Sequence, residues 1–217
     1  HFLSILRLTL HMAVTAGAVF IISRDLGVTL MYPLIFITML LIYGVSLWWM
    51  GAAGLCAAAA LPVLWHFMDQ GHRERILVVF DPAISEKRAW HAKQTVMAIS
   101  NGQLTGDGYL HGARTQGGWI PEAHCDSIFA VCAEEFGFIG AMVLLMLLTA
   151  LVLRIFYDCW RATDTFSAMV CAGVGGMFLW QIAINVTMNL GVFPVIGLTL
   201  PLVSSGGSSV LITLASL

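Results

Sequence analysis

The sequence predicts an all-α, polytopic membrane protein, and three observations carry that prediction. Of the 217 residues, 59% are hydrophobic and 10% are charged, whereas an average soluble domain is about a quarter charged. Residues 26–65 and 165–217 contain no Asp, Glu, Lys or Arg. The charge is instead concentrated: 13 of the 22 charged residues lie between positions 66 and 126. A soluble globule of this composition would expose large apolar patches. A net charge of −2 offers no basic field for a phosphate backbone, so no nucleic-acid partner is expected.

A helix needs about 20 apolar residues to cross a bilayer. The first span is expected at about 5–23 and ends at Arg24-Asp25. The uncharged stretch that follows is too long for one span and fits two, at about 26–44 and 47–66, with a turn near Gly44–Gly51. Residues 66–126 then form a large extramembrane loop, punctuated by Asp81-Pro82 and Asn101-Gly102. A fourth span is expected at 127–153 and a fifth at 165–188, separated by a polar turn over Arg154–Asp164. Residues 189–217 are apolar but broken by Pro194, Gly197, Pro201, Gly206 and Gly207, which reads as a bent entry into a last helix at about 201–217. The chain opens on His1 and stops at Leu217 inside an apolar run. A single membrane domain cut from a longer protein is the expectation. Counting spans puts Arg7, Arg154 and Arg161 on one face, which the positive-inside rule makes cytoplasmic. Arg24 votes the other way, but the long loop, which escapes the rule, then falls outside the cell.

Four groups of residues could carry chemistry. Pro121-Glu122-Ala123-His124-Cys125-Asp126 packs three ionisable side chains against the start of a span. A carboxylate beside low-dielectric lipid favours its neutral form and approaches the range of a general base; the plainer reading is a set of solvated residues at a helix start. Arg73 and Arg75 flank Glu74, and paired guanidiniums suit a phosphate or pyrophosphate, or else a local ion pair. Glu134 and Glu135 lie inside a span, where acids are functional or paired. Ser204-Ser205-Gly206-Gly207 offers amides and hydroxyls to an anion, or simply permits close packing. The cysteines Cys56, Cys125, Cys132, Cys159 and Cys171 form no CxxC pair, which argues against a zinc site. Nor is there a phosphate-binding GxxxxGK, an HExxH or a GxSxG motif.

At these residues the chain resembles the SEDS family (RodA, FtsW and SpoVE). The most specific block is Asn185, Gly191-Val192-Phe193-Pro194-Val195, Gly197-Leu198 and Leu202-Val203-Ser204-Ser205-Gly206-Gly207-Ser208-Ser209, with Ser205 where the family most often has Tyr. A second runs Ile120-Pro121-Glu122-Ala123-His124-Cys125-Asp126-Ser127-Ile128-Phe129-Ala130-Val131 and on through Ala133-Glu134-Glu135-Phe136-Gly137. There Cys125 replaces Thr and Ser127 replaces Phe. A third is Arg73-Glu74-Arg75-Ile76 to Asp81-Pro82, continued by Gln94 and Gly106-Asp107-Gly108. The fourth is Asp25-Leu26-Gly27, preceded by Ser23-Arg24 in place of Gln-Pro.

The resemblance implies a ten-helix fold of which this chain holds about five to six transmembrane helices and one large extracytoplasmic loop. It also implies a multi-pass protein of the bacterial plasma membrane. The implied activity is peptidoglycan glycosyltransfer: lipid II is polymerised onto a nascent glycan strand and undecaprenyl pyrophosphate leaves. The family's catalytic aspartate falls on Asp126. The implied partner is a class B penicillin-binding protein, a transpeptidase.

The residues fit that chemistry. A glycosidase needs two carboxylates, one to protonate an alkoxide. A transferase expelling pyrophosphate needs one base for the acceptor hydroxyl and cations for the leaving group. Asp126 supplies the first, and Arg73 and Arg75 the second. Glu122, His124, Gln94, Asp25, Ser204, Ser205, Gly206 and Gly207 complete the expected substrate-binding set. A divalent cation, magnesium or manganese, near Asp126 or Glu122 would assist, but no ligand set is legible. Two other classes fit the same sequence: a lipid II flippase built on broken helices, and a non-catalytic scaffold that activates a cell-wall synthase.

Overall fold

A computed structural model describes residues 2–46, 48, 51, 54, 65, 66 and 68–205. Among these every regular element is a helix. They are α1 (Phe2–Ser23), α2 (Leu26–Ile42), α3 (Gln70–Leu77), a 3-10 turn (Pro82–Ile84), α4 (Glu86–Asn101), α5 (Ala113–Gln116), α6 (Ile128–Arg161) and α7 (Thr165–Asn189). By length and composition, α6 and α7 can each cross a membrane, and Arg7–Ser23 and Leu26–Ile42 are shorter apolar helices. The expected third span at 47–66 falls largely outside the described residues, as does 206–217, which includes Gly206 and Gly207. The helix α6 runs on to Arg161, so its link to α7 is residues 162–164.

The chain divides into two compact units, His1–Arg73 with Ile155–Trp180, and Glu74–Arg154 with Gln181–Leu217. In the first, α1 and α2 pack on one another across the Arg24-Asp25 link. Asp25 makes the reversal by capping α2: its carboxylate accepts from the Gly27 amide at 2.8 Å and the Val28 amide at 3.4 Å. Such a cap contributes about 1 kcal/mol. His72 reaches the Arg24 carbonyl at 3.0 Å and lies against the Phe20 ring. Trp180 donates to the Thr38 hydroxyl at 3.0 Å, tying α7 to α2.

In the second unit, Ala98 of α4, Ile120, and Ala130 and Val131 of α6 form a small buried core, with Ile99, Ala123 and Ile128 against it. The decisive feature is a break inside α6. Gly137 adopts φ 68°, ψ −170°, a conformation essentially restricted to glycine. The break frees backbone groups on either side, and the 103–108 loop takes them up. Asp107 and Gly108 donate to the carbonyls of Glu134 and Glu135, at 3.0 and 2.9 Å. Phe138 and Ile139 donate to those of Gln103 and Leu104, at 2.8 and 3.2 Å. The strands of chain meet so closely that a Cβ on Gly106 would overlap the Glu135 carbonyl. Buried backbone groups need partners, and here a loop supplies what the helix gives up.

Candidate active site

The loop returns to α6 through residues 121–127, a succession of turns rather than a helix. Glu122 takes φ 49°, and its carbonyl accepts from the amides of Cys125 at 3.0 Å and Ser127 at 3.2 Å. The Ser127 hydroxyl, buried, donates to the Pro121 carbonyl at 2.9 Å and lies 3.5 Å from His91 Nε2. Residues 124–126 are also held from the C-terminal block. The Ser205 amide and hydroxyl both donate to the His124 carbonyl at 2.9 Å. The Ser204 hydroxyl donates to the Cys125 carbonyl at 2.6 Å and accepts from the Leu200 amide at 2.8 Å. Asn185 and Asn189, one helical turn apart on α7, both donate to the Asp126 carbonyl, at 2.9 and 3.0 Å.

The half-buried Asp126 lines a cavity of about 920 Å³. Three cations share its wall: Arg75 from α3, and Arg88 and Lys93 from α4. Glu86, Trp90 and His91 line it too, and Gly191, Phe193-Pro194-Val195 and Gly197 add a mostly apolar stretch of lining. Gly197 has φ 77°, and a Cβ there would sit 3.5 Å from Asp126 Oδ2. Arg88 pairs with Glu74 at 3.8 Å with both side chains about a third exposed, so the pair contributes less than about 1 kcal/mol. Burial holds the His91 imidazole below its ordinary pKa, partly offset by a hydrogen bond with the Pro121 backbone and by the Glu122 charge.

The other residues singled out from the sequence make the following contacts. Arg73 belongs to the first unit, where it donates to the His66 carbonyl at 2.9 Å and lies over the Trp65 ring at 5.9 Å. Asp25 is spent on its helix cap. The side chains of Glu122 and His124 are exposed, and their carbonyls hold the turn. Gln94 is buried and accepts from the Arg114 guanidinium at 2.5 Å. Glu134 and Glu135 are both buried. Glu134 accepts from the amides of Arg114 and Thr115, each at 2.9 Å, and from the Thr115 hydroxyl at 2.6 Å. It therefore holds the start of α5 in place.

Arg88, Lys93, His91 and Trp90 were not picked out from the sequence. A charged run such as Glu86-Lys87-Arg88 reads as a solvated face, and nothing local says which of its members meets Asp126. Asn189 was not picked out either; its spacing of four residues from Asn185, on one helix face, was the available signal. Among the described residues, no group of three or more His, Cys, Asp or Glu side chains gathers as a metal site.

Two carboxylates, Asp126 and Glu86, line one cavity with Arg75, Arg88 and Lys93, in a chain whose described elements are apolar helices of the kind that membrane proteins carry. The chain belongs to the FtsW, RodA and SpoVE family, whose profile, described as cell cycle protein, matches residues 2–217. It is 37% identical over 193 residues to the peptidoglycan glycosyltransferase MrdB of Escherichia coli K12, covering 88% of this chain and 52% of that protein. It is 36% identical over 220 residues to a probable peptidoglycan glycosyltransferase FtsW of Thiomicrospira cyclica, covering 99% and 55%. A chain of a solved peptidoglycan synthase complex, which coordinates polymerization and crosslinking, superposes with a TM-score of 0.75 at 30% identity, covering 96% of this chain and 57% of that one. The chain thus spans about half the length of the curated relatives it matches.

Proposed function

We propose that the protein polymerises lipid II into glycan strands, with Asp126 as the general base. The observation that carries this reading is the cavity shared by Asp126, Arg75, Arg88 and Lys93. The acceptor hydroxyl oxygen attacks the anomeric carbon of the polyprenyl-linked sugar. Its proton passes to the Asp126 carboxylate as the bond to pyrophosphate breaks, and a single displacement inverts the anomeric centre. The leaving group departs as an anion, so Arg75, Arg88 and Lys93 stabilise it without protonating it. The apolar wall of Phe193, Pro194 and Val195 suits the first part of the lipid tail. In this reading six spans place residues 66–126 outside the cell. The relation to a solved synthase complex supports a crosslinking partner of the class B penicillin-binding type.

The test is polymer formation from purified lipid II by the natural full-length protein in detergent, with no membrane gradient, comparing wild type with Asp126→Asn. Polymer from the wild type and none from the variant is the expected result. Polymer from both would sink the assignment of Asp126, and polymer from neither would return the protein to the transporter or scaffold readings.

A further inference from the structure

Resting on that reading of Asp126, we infer that Asn185, Asn189 and Ser204 are positioning residues that aim its carboxylate into the cavity. The 121–127 turn has no helical or sheet ladder to fix it. Its direction depends on what its carbonyls meet. Three consecutive carbonyls, those of His124, Cys125 and Asp126, are each held by different side chains of the C-terminal block. Pinning successive peptide planes fixes the Cα–Cβ direction of Asp126 between them, and so the path of its carboxylate.

Burial separates this device from ordinary packing. Asn185 is 0% exposed, Asn189 1% and Ser204 2%. Two amides are thus buried on one face of α7 and converge on a single oxygen, the Asp126 carbonyl. A pair of apolar side chains there would avoid the desolvation cost of two buried amides. Asn189 Oδ1 is in fact buried with no hydrogen-bond partner. The arrangement is poor as a source of stability and well made for holding one atom. Asn185 adds a bond to the Leu198 carbonyl at 2.6 Å, beside Gly197, so the same amide sets both the turn and the glycine that faces Asp126 Oδ2. Ser204 and Ser205, which the sequence offered as substrate ligands, act on the protein's own backbone.

A small error in the aim of a reacting group is expensive, about a hundredfold for a displacement near 1 Å. Asn189→Ala and Ser204→Ala, in the natural full-length protein with lipid II as substrate, are expected to lower kcat about tenfold to a hundredfold while KM stays within about twofold. The acid limb of the kcat–pH profile is expected to move, because the carboxylate changes its neighbours among Glu86, His91, Arg75, Arg88 and Lys93. Ser204→Thr, which keeps the hydroxyl, is expected to recover most of the rate. If Asn189→Ala fails to fold, Ser205→Ala at an exposed position is read in the same way, with about a threefold fall in kcat expected. Variants whose loss equals their unfolded fraction at every pH, with the acid limb unmoved, overturn the inference while leaving Asp126 as base. An active Asp126→Asn overturns the underlying reading instead.

Discussion

Glu134 and Asp126 bracket the start of α6, and the second unit treats the two carboxylates in opposite ways. Glu134 is wholly buried, and its oxygens are occupied by two amides and a hydroxyl from α5. Asp126 is half-buried; its backbone carbonyl is the part that α7 holds, while the residue borders a cavity with Arg75, Arg88 and Lys93. The difference teaches where each residue is gripped: Glu134 through its carboxylate, and Asp126 through its backbone carbonyl, which sets the direction in which its side chain leaves the turn.

Substitution at each site should break or sharpen that contrast. The largest effect belongs to Asp126→Asn, which should cost at least about a thousandfold in turnover, or about 4 kcal/mol, with the thermal midpoint almost unchanged. Glu134→Ala should show the converse. It strands three donors, each costing about 1–3 kcal/mol, so a loss of roughly 4 kcal/mol in stability is expected, together with faster hydrogen exchange at residues 112–115. Any activity lost should follow the folded fraction; a folded but inactive Glu134→Ala would erase the distinction.

Arg75→Ala tests the cations that line the cavity with Asp126. Losing a charge-assisted contact to pyrophosphate should cost about 1.5–3 kcal/mol, tenfold to a hundredfold in kcat/KM. Arg75→Lys should fall between, since a point charge replaces a planar fork. The smallest effect concerns His91. Burial opposes its protonation, so the folded protein takes up this proton at a lower pH than the unfolded chain does. Its contribution leaves stability unchanged above the ordinary histidine range and reduces it as pH falls below about 6.5. His91→Asn should flatten the thermal midpoint over that window.

The all-helical class was legible because membrane helices must satisfy their own backbone groups and carry apolar side chains throughout, as residues 26–42 and 165–189 do. Asp126 was legible as a candidate because an acid at a span boundary is chemically conspicuous and lies in a family block. What surrounds it was not. Arg88 and Lys93 reach the cavity only because α4 packs beside the start of α6, a contact between segments distant in sequence. The role of Gln94 was hidden for the same reason: its partner, Arg114, lies 20 residues on. Gly137 looked like one small residue in a helical run, and only the 103–108 loop gives its conformation a purpose.

That break also bears on the order in which the chain acquires its structure. An uninterrupted helix can close each turn as soon as its residues emerge. Here the Glu134 and Glu135 carbonyls wait for Asp107 and Gly108, so the early part of α6 and the preceding loop mature together. Nucleation of this helix should start beyond Gly137, in the apolar stretch that needs no outside partner. The turn bearing Asp126, which lies between that loop and the break, would then set together with them.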